Sequence, residues 1–218
     1  MSGPKFTEVM KKDYTILVPN MLPMHFELIM SVMRTYGYKM ELLRTSGPEI
    51  AETGLRYVHN DTCYPAILVI GQFMDALTSG KYDPHKVALI LFQTGGGCRA
   101  SNYIPLLRKA LERGGFGDVP VISFSLAGLE KHPGFQLTLP MLHGMLYGVL
   151  YADLLMALAN QCKPYEREKG QAQRLADALK YNIPPGKEKA AGNDPKRRDT
   201  KPCGLLRNGK DSNHGSGP

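Results

Sequence analysis

Two cysteines of this chain stand where a strand or loop gives way to a helix, in Asn60-Asp61-Thr62-Cys63-Tyr64-Pro65 and in Gln93-Thr94-Gly95-Gly96-Gly97-Cys98-Arg99. A thiol at a helix N-terminus sits in the positive end of the helix dipole. That setting favours the thiolate, the form that ligates soft metals and attacks electrophiles. Gly95, Gly96 and Gly97 let the backbone approach a ligand with several amide N–H groups pointing at it. Such amides suit phosphate oxygens and equally the sulfides of an iron–sulfur cluster. Arg99 places a cation beside Cys98, which favours its thiolate and balances the charge of an anionic cluster. Pro65 takes the glycines' part on the helical side of Cys63, fixing φ for helix entry and removing an amide that would otherwise be orphaned.

The same residues admit other readings. Gly95 to Ala100 matches Gly-x-Gly-x-x-Ala, a form of the dinucleotide fingerprint, but the next strand leads into Ser125-Leu126-Ala127-Gly128 and lacks the acid that a ribose requires. The Gly-Lys-Ser/Thr of a P-loop is absent, and no Cys-x-x-Cys pair serves a zinc ribbon. Cys162, following a helix, is either a third ligand or a core cysteine; Cys203 lies in the C-terminal tail. A thiol enzyme is a second functional class, with Cys98 as nucleophile, the amides of Gly95 to Cys98 as oxyanion donors, and His25 or His59 as base. A third class is a non-catalytic assembly module whose cysteines are merely buried. Further polar candidates are Asn20, Asn60, Asp61, Gln93, Ser101, Asn102 and Ser125, with Asn60 and Asp61 expected to fold their loop by side-chain hydrogen bonds to backbone amides.

These residues need an α/β frame, and the chain supplies one. The apolar runs Tyr14 to Val18, Lys39 to Leu43, Lys86 to Phe92 and Val119 to Phe124 read as strands. Helices are predicted over Leu22 to Tyr36, Pro65 to Leu77, Arg99 to Arg113, Leu139 to Ala159 and Gln171 to Tyr181, several bounded by Gly or Pro. Ile50 to Val58 is ambiguous, with Leu55 to Val58 expected as a short strand. Such β-α-β units give an open, mostly parallel Rossmann-like sheet with helices on both faces and ligands beyond the carboxyl ends of the strands. Cys63, Cys98 and Ser125 are expected along that edge. The Met face Met21, Met24, Met30 and Met33 is expected in the core or a subunit contact.

The expected division is a flexible N-terminus over 1–12, one α/β lobe over 13–182 and a disordered basic tail over 183–218. Composition is ordinary for a globular chain, with 43% apolar and 22% charged residues. Of the net charge of +7, Gly186 to Pro218 carry +4, from eight Lys/Arg against four Asp/Glu. The basic residues therefore gather in a tail rather than on a folded face with interleaved aromatics, which argues against nucleic acid as the partner. No run of about 20 apolar residues and no apolar leader is read in the chain, so the expectation is a soluble cytoplasmic protein without membrane association. In that reducing compartment four cysteines point to metal, redox work or burial rather than disulfides.

Three segments carry a resemblance to a known family: Asn60 to Ala66, Gly80-Lys81-Tyr82-Asp83, and Gln93 to Tyr103. Over about Tyr14 to Leu179 the chain resembles the acyl-CoA dehydratase activase-related proteins, relatives of the 2-hydroxyacyl-CoA dehydratase (2-hydroxyglutaryl-CoA dehydratase) subunits, and specifically a C-terminal iron–sulfur lobe of that family. The resemblance implies Rossmann-like lobes holding an oxygen-sensitive iron–sulfur cluster, 4Fe–4S or double-cubane, through cysteine thiolates at Cys63 and Cys98. It implies an anaerobic electron-transfer setting in which an ATPase activase domain delivers low-potential electrons to a dehydratase or reductase component. There, one electron on an acyl-CoA thioester carbonyl gives a ketyl radical that eases loss of an unactivated hydroxyl. Family members are usually longer, with an activase domain and a further cysteine-containing lobe, so the expectation is a single lobe working as a split subunit or fragment. With two placed thiolates, the remaining ligands are expected from Cys162, a partner chain, a second copy in a homodimer, or a non-protein ligand.

Overall fold

Strand β3 (Val87–Phe92) is apolar without alternation, and Val87 to Leu91 are all 2% exposed or less. A strand covered on one face would alternate; this one is covered on both. Val87, Leu89 and Leu91 point into one apolar layer and Ala88 and Ile90 into the other. Around it lie β1 (Thr15–Val18), β2 (Met40–Leu42) and β4 (Val121–Phe124), in the order β2-β1-β3-β4 and all parallel. Ile16 pairs with Met40 on one side and Ala88 on the other, and Ile90 pairs with Ile122. The computed structural model describes residues 3–92, 102–124 and 132–180. Met1–Ile183 form one unit and Pro184–Pro218 a second. The expected tail over 183–218, Cys203 included, lies outside the described residues.

Right-handed crossovers put the helices on both faces. On one face α2 (Pro23–Thr35) packs with the long helix α6 (Leu139–Cys162) over Ile16, Val18, Ile90 and Ile122. On the other, α4 (Tyr64–Thr78) and α5 (Tyr103–Gly114) cover Leu17, Leu89, Leu91 and Val121. The chain thus reverses its winding between β1 and β3, the switch point at which open α/β sheets place ligands.

Several boundaries differ from the sequence reading. Over Ile50 to Val58 there is no strand but most of helix α3 (Pro48–Tyr57) and its C-cap. Its packing face runs through Ile50 and Gly54, and a face made partly of glycine leaves no apolar periodicity to read. A Cβ at Gly54 would lie 2.2 Å from the Ile67 carbonyl oxygen, and one at Gly71 would lie 2.0 Å from that of Ile50, so α3 and α4 touch backbone to backbone. Residues 1–12, expected to be flexible, instead include α1 (Glu8–Asp13), capped by Thr7 and preceded by a fully buried Phe6. The Phe6 N–H donates to His132 Nδ1 at 3.1 Å, and the Phe6 carbonyl accepts from the Gly134 N–H at 3.0 Å. β4 starts at Val121 rather than Val119, yet the Pro120 carbonyl already accepts from the Leu89 N–H at 2.8 Å. Met24, Met30 and Met33 are core residues as expected, whereas Met21 is exposed. The predicted start of α5 at Arg99 falls outside the described residues.

The expectation that no apolar run of about 20 residues exists is corrected by α6. Leu139–Tyr165 are long and apolar enough to cross a membrane, with a mean hydropathy of 1.5 over 18 residues. The run escapes a simple reading because small residues, Gly144, Gly148, Ala152 and Ala159, interrupt the leucines. Met141, Met145, Gly148, Ala152, Leu155 and Ala159 form its buried face. Helix α7 (Gln171–Lys180) closes the α2/α6 layer through Ala176, and Lys180, buried, is ion-paired with Glu27 and with Asp177 at 3.1 Å. Burial opposes the charge on Lys180, but the hydrogen bonds to Glu27 and Asp177 prevail and hold its ammonium above the ordinary lysine range.

Candidate functional site

Cys63 is the N-cap of α4. Its carbonyl accepts from the N–H groups of Ala66 at 2.9 Å and Ile67 at 3.2 Å, while its side chain makes no cap. The half-buried sulfur lies 3.3 Å from the Tyr103 hydroxyl. Tyr103 is the first residue of α5. The N-cap sulfur of α4 thus meets the side chain of the first residue of α5. Asp61, Thr62, Asn102, Pro105, Leu106 and Lys109 surround the pair in an open cleft of about 420 Å³.

The approach to Cys63 is a short turn in which His59 also takes part. The His59 Nδ1 lies 3.3 Å from the Asp61 N–H and 3.1 Å from the Asp61 carboxylate, accepting from the first when neutral and pairing with the second when protonated. The Thr62 N–H donates to the His59 carbonyl at 3.0 Å. The resemblance segment Gly80 to Asp83 takes a structural part. Tyr82 donates to Glu41 on β2 at 2.5 Å, Lys81 reaches the same carboxylate at 2.8 Å, and Asp83 accepts from the His85 N–H. The Lys81 hydrogen bond, seconded by Tyr82, holds the Glu41 carboxyl below its ordinary range.

Beyond the carboxyl ends of β1 and β2, the buried Gln72 of α4 joins the two segments that follow those strands. Its Oε1 accepts from the Asn20 N–H and its Nε2 donates to the Thr45 carbonyl, each at 2.9 Å. The Asn20 Oδ1 is buried there with no partner among the described residues. Nine residues of helix, about 13 Å of axis, separate Gln72 from Cys63. Cys63 accordingly stands beyond the sheet edge, on the α4/α5 side.

Gly95, Gly96, Gly97, Cys98, Arg99, Gln93, Ser101 and Ser125 lie outside the described residues. Cys162 is exposed at the last position of α6, in the layer opposite Cys63. His25 is also in that layer, buried, with its Nε2 2.7 Å from Asp153 of α6. His59 is exposed beside Cys63. No group of three or more His, Cys, Asp or Glu positioned for a metal ion occurs among the described residues. Sequence reasoning assigned no role to Tyr103 or Gln72. Gln72 had a readable signal, as the one polar residue between Ala66 and Met74. Comparison with known proteins gives no match: no family description fits the chain, and neither a curated protein nor a solved structure is significantly similar to it.

Proposed function

We propose that this lobe binds an iron–sulfur cluster through Cys63 and Cys98 and holds or relays low-potential electrons for a reaction of the 2-hydroxyacyl-CoA dehydratase kind, beside an activase ATPase domain or a dehydratase subunit. The observation that carries the reading is the Cys63 sulfur at the N-cap of α4, against the side chain of Tyr103, a residue five positions after Cys98. A thiolate so placed is the donor that such a cluster takes. The described residues supply one such donor, so the ligand set closes only with Cys98 and donors beyond it. When bound, the cluster supplies one-electron chemistry at low potential.

The chain's own part is placement and tuning. The α4 dipole favours negative charge at its N-cap residue, Cys63. The Tyr103 hydroxyl, 3.3 Å away, donates to the sulfur once it is a thiolate. Cys63 packs against the apolar layer that includes Ile67, Tyr103 and Leu107. Anaerobic reconstitution with iron and sulfide tests the reading. Broad visible absorption is expected, with iron and acid-labile sulfide in near-equal amounts, and with loss in Cys63→Ser and in Cys98→Ser. A colourless protein with both thiols free refutes the cluster, and rapid alkylation of Cys98 alone without metal would establish the thiol enzyme in its place.

A further inference from the structure

Edge strand β2 borders a second cleft, of about 300 Å³, apart from the one at Cys63. Its ionised lining is Glu27 and Arg34 of α2, Glu41 of β2, Arg44 just after β2, and Lys81 in the link from α4 to β3. Three cations thus line it with two carboxylates, and both carboxylates are already engaged. The Glu27 Oε1 accepts from Arg44 and its Oε2 from Lys180, which is buried and does not line the cleft. The Glu41 Oε1 accepts from Lys81 at 2.8 Å and from Tyr82. Arg34 alone of the three has no carboxylate partner among the described residues. Its Nη2 donates instead to the Met40 carbonyl at 2.7 Å. The Lys39 carbonyl and the Leu43 N–H bond to β1, so the alternation of a parallel ladder turns the backbone groups of Met40 and Leu42 toward the outer edge of the sheet. Arg34 therefore covers an edge carbonyl, a neutral acceptor that orients the guanidinium without cancelling its charge.

A guanidinium offers five N–H donors in a planar fork that matches a carboxylate or a phosphate. The Met40 carbonyl takes one of them. Net charge decides between the two anions. The lining carries a surplus of one positive charge, which a carboxylate balances. A phosphate monoester, at about −1.5 to −2 near neutral pH, would leave excess negative charge beside Glu27 and Glu41. Met30 and Leu42, both buried, add an apolar wall. A volume of about 300 Å³ is at the lower end for small-molecule sites, so the chain that follows the carboxylate is short. The Arg44 and Lys81 side chains are 72% and 64% exposed, which leaves the cleft open to a ligand from solvent. Each of the three cations is steered by its own acceptor, Met40, Glu27 or Glu41, so little ordering remains to be done on binding.

We propose that this cleft binds a short-chain organic carboxylate, with its carboxyl group on Arg34 and its carbon chain against Met30 and Leu42. The two clefts share no lining residue, so the inference is independent of the iron–sulfur reading. Titration of the full chain, labelled with ¹⁵N, with acetate and then with butanoate tests it by NMR. Saturable shifts are expected at the Arg34 side-chain N–H groups and the Leu42 amide, with butanoate tighter than acetate by about fourfold for each added methylene that is buried. Arg34→Gln, at an exposed position and checked by circular dichroism, weakens butanoate binding at least about tenfold, as loss of a charge-assisted bidentate pair requires. Arg34→Lys keeps the charge but not the fork and recovers only part of the affinity. Lys12→Gln, an exposed cation on α1, leaves binding unchanged. Absence of saturation at about 100 mM butanoate, undiminished binding by Arg34→Gln, or tighter binding of inorganic phosphate than of butanoate would each overturn the proposal.

Discussion

Replacing Gly71 with alanine tests the contact that holds Cys63 in place. Cys63 ends the short link between α3 and α4, so its position depends on how those helices meet. An alanine Cβ at residue 71 would lie 2.0 Å from the Ile50 oxygen, where real Cβ contacts stay at 3.0 Å or more, so α3 must retreat by about 1 Å. A gap of that size forfeits roughly a quarter to a half of the dispersion energy of the atoms it separates. Overpacking of this kind costs up to about 3 kcal/mol. Alanine's better helix propensity returns about 1 kcal/mol. The net expectation is a loss of about 2 kcal/mol, read in urea titrations by circular dichroism. Gly54→Ala meets the Ile67 oxygen across the same interface, so the two losses should combine to less than their sum. A Gly71→Ala protein as stable as wild type, or strictly additive losses, would refute the account of α3 and α4.

Gln72→Leu keeps the volume but strips partners from the Asn20 N–H and the Thr45 carbonyl, for an expected loss of about 2–5 kcal/mol in the same titration. Glu166 accepts from the backbone N–H groups of Gly170, at 2.7 Å, and Ala172, and these bonds, that of Gly170 first, hold its carboxyl below the ordinary range. A depressed carboxyl stabilises the fold above its unfolded pKa and loses that contribution as pH falls through the folded value. Glu166→Gln is therefore expected to be less stable than wild type at pH 7, with the difference vanishing in acid; a difference independent of pH would contradict the cap.

Much of this fold is legible in local pattern. The apolar run of β3 announces a sheet covered on both faces, and Pro65 and Gly115 mark where α4 begins and α5 ends, Gly115 with a left-handed φ of 79°. Cys63 is readable as a helix cap from Pro65 alone. Where local signal fades, the reading goes astray: α3 hides behind Gly54, α6 behind its small residues, and α1 takes its place because Phe6 finds a pocket beside His132.

Residue type and periodicity were thus enough to specify the four strands, most of the helices, the parallel sheet and the thiol at a helix start. Tertiary packing alone decided that this sulfur meets Tyr103 across 40 residues, that Gln72 bridges to Asn20 across 52, and that Cys162 and His25 belong to the opposite layer. Periodicity encodes which face of an element is buried. Which two faces meet is set by the layering of the whole chain, where backbone contacts such as Gly71 on Ile50 admit one arrangement of helices and exclude its neighbours.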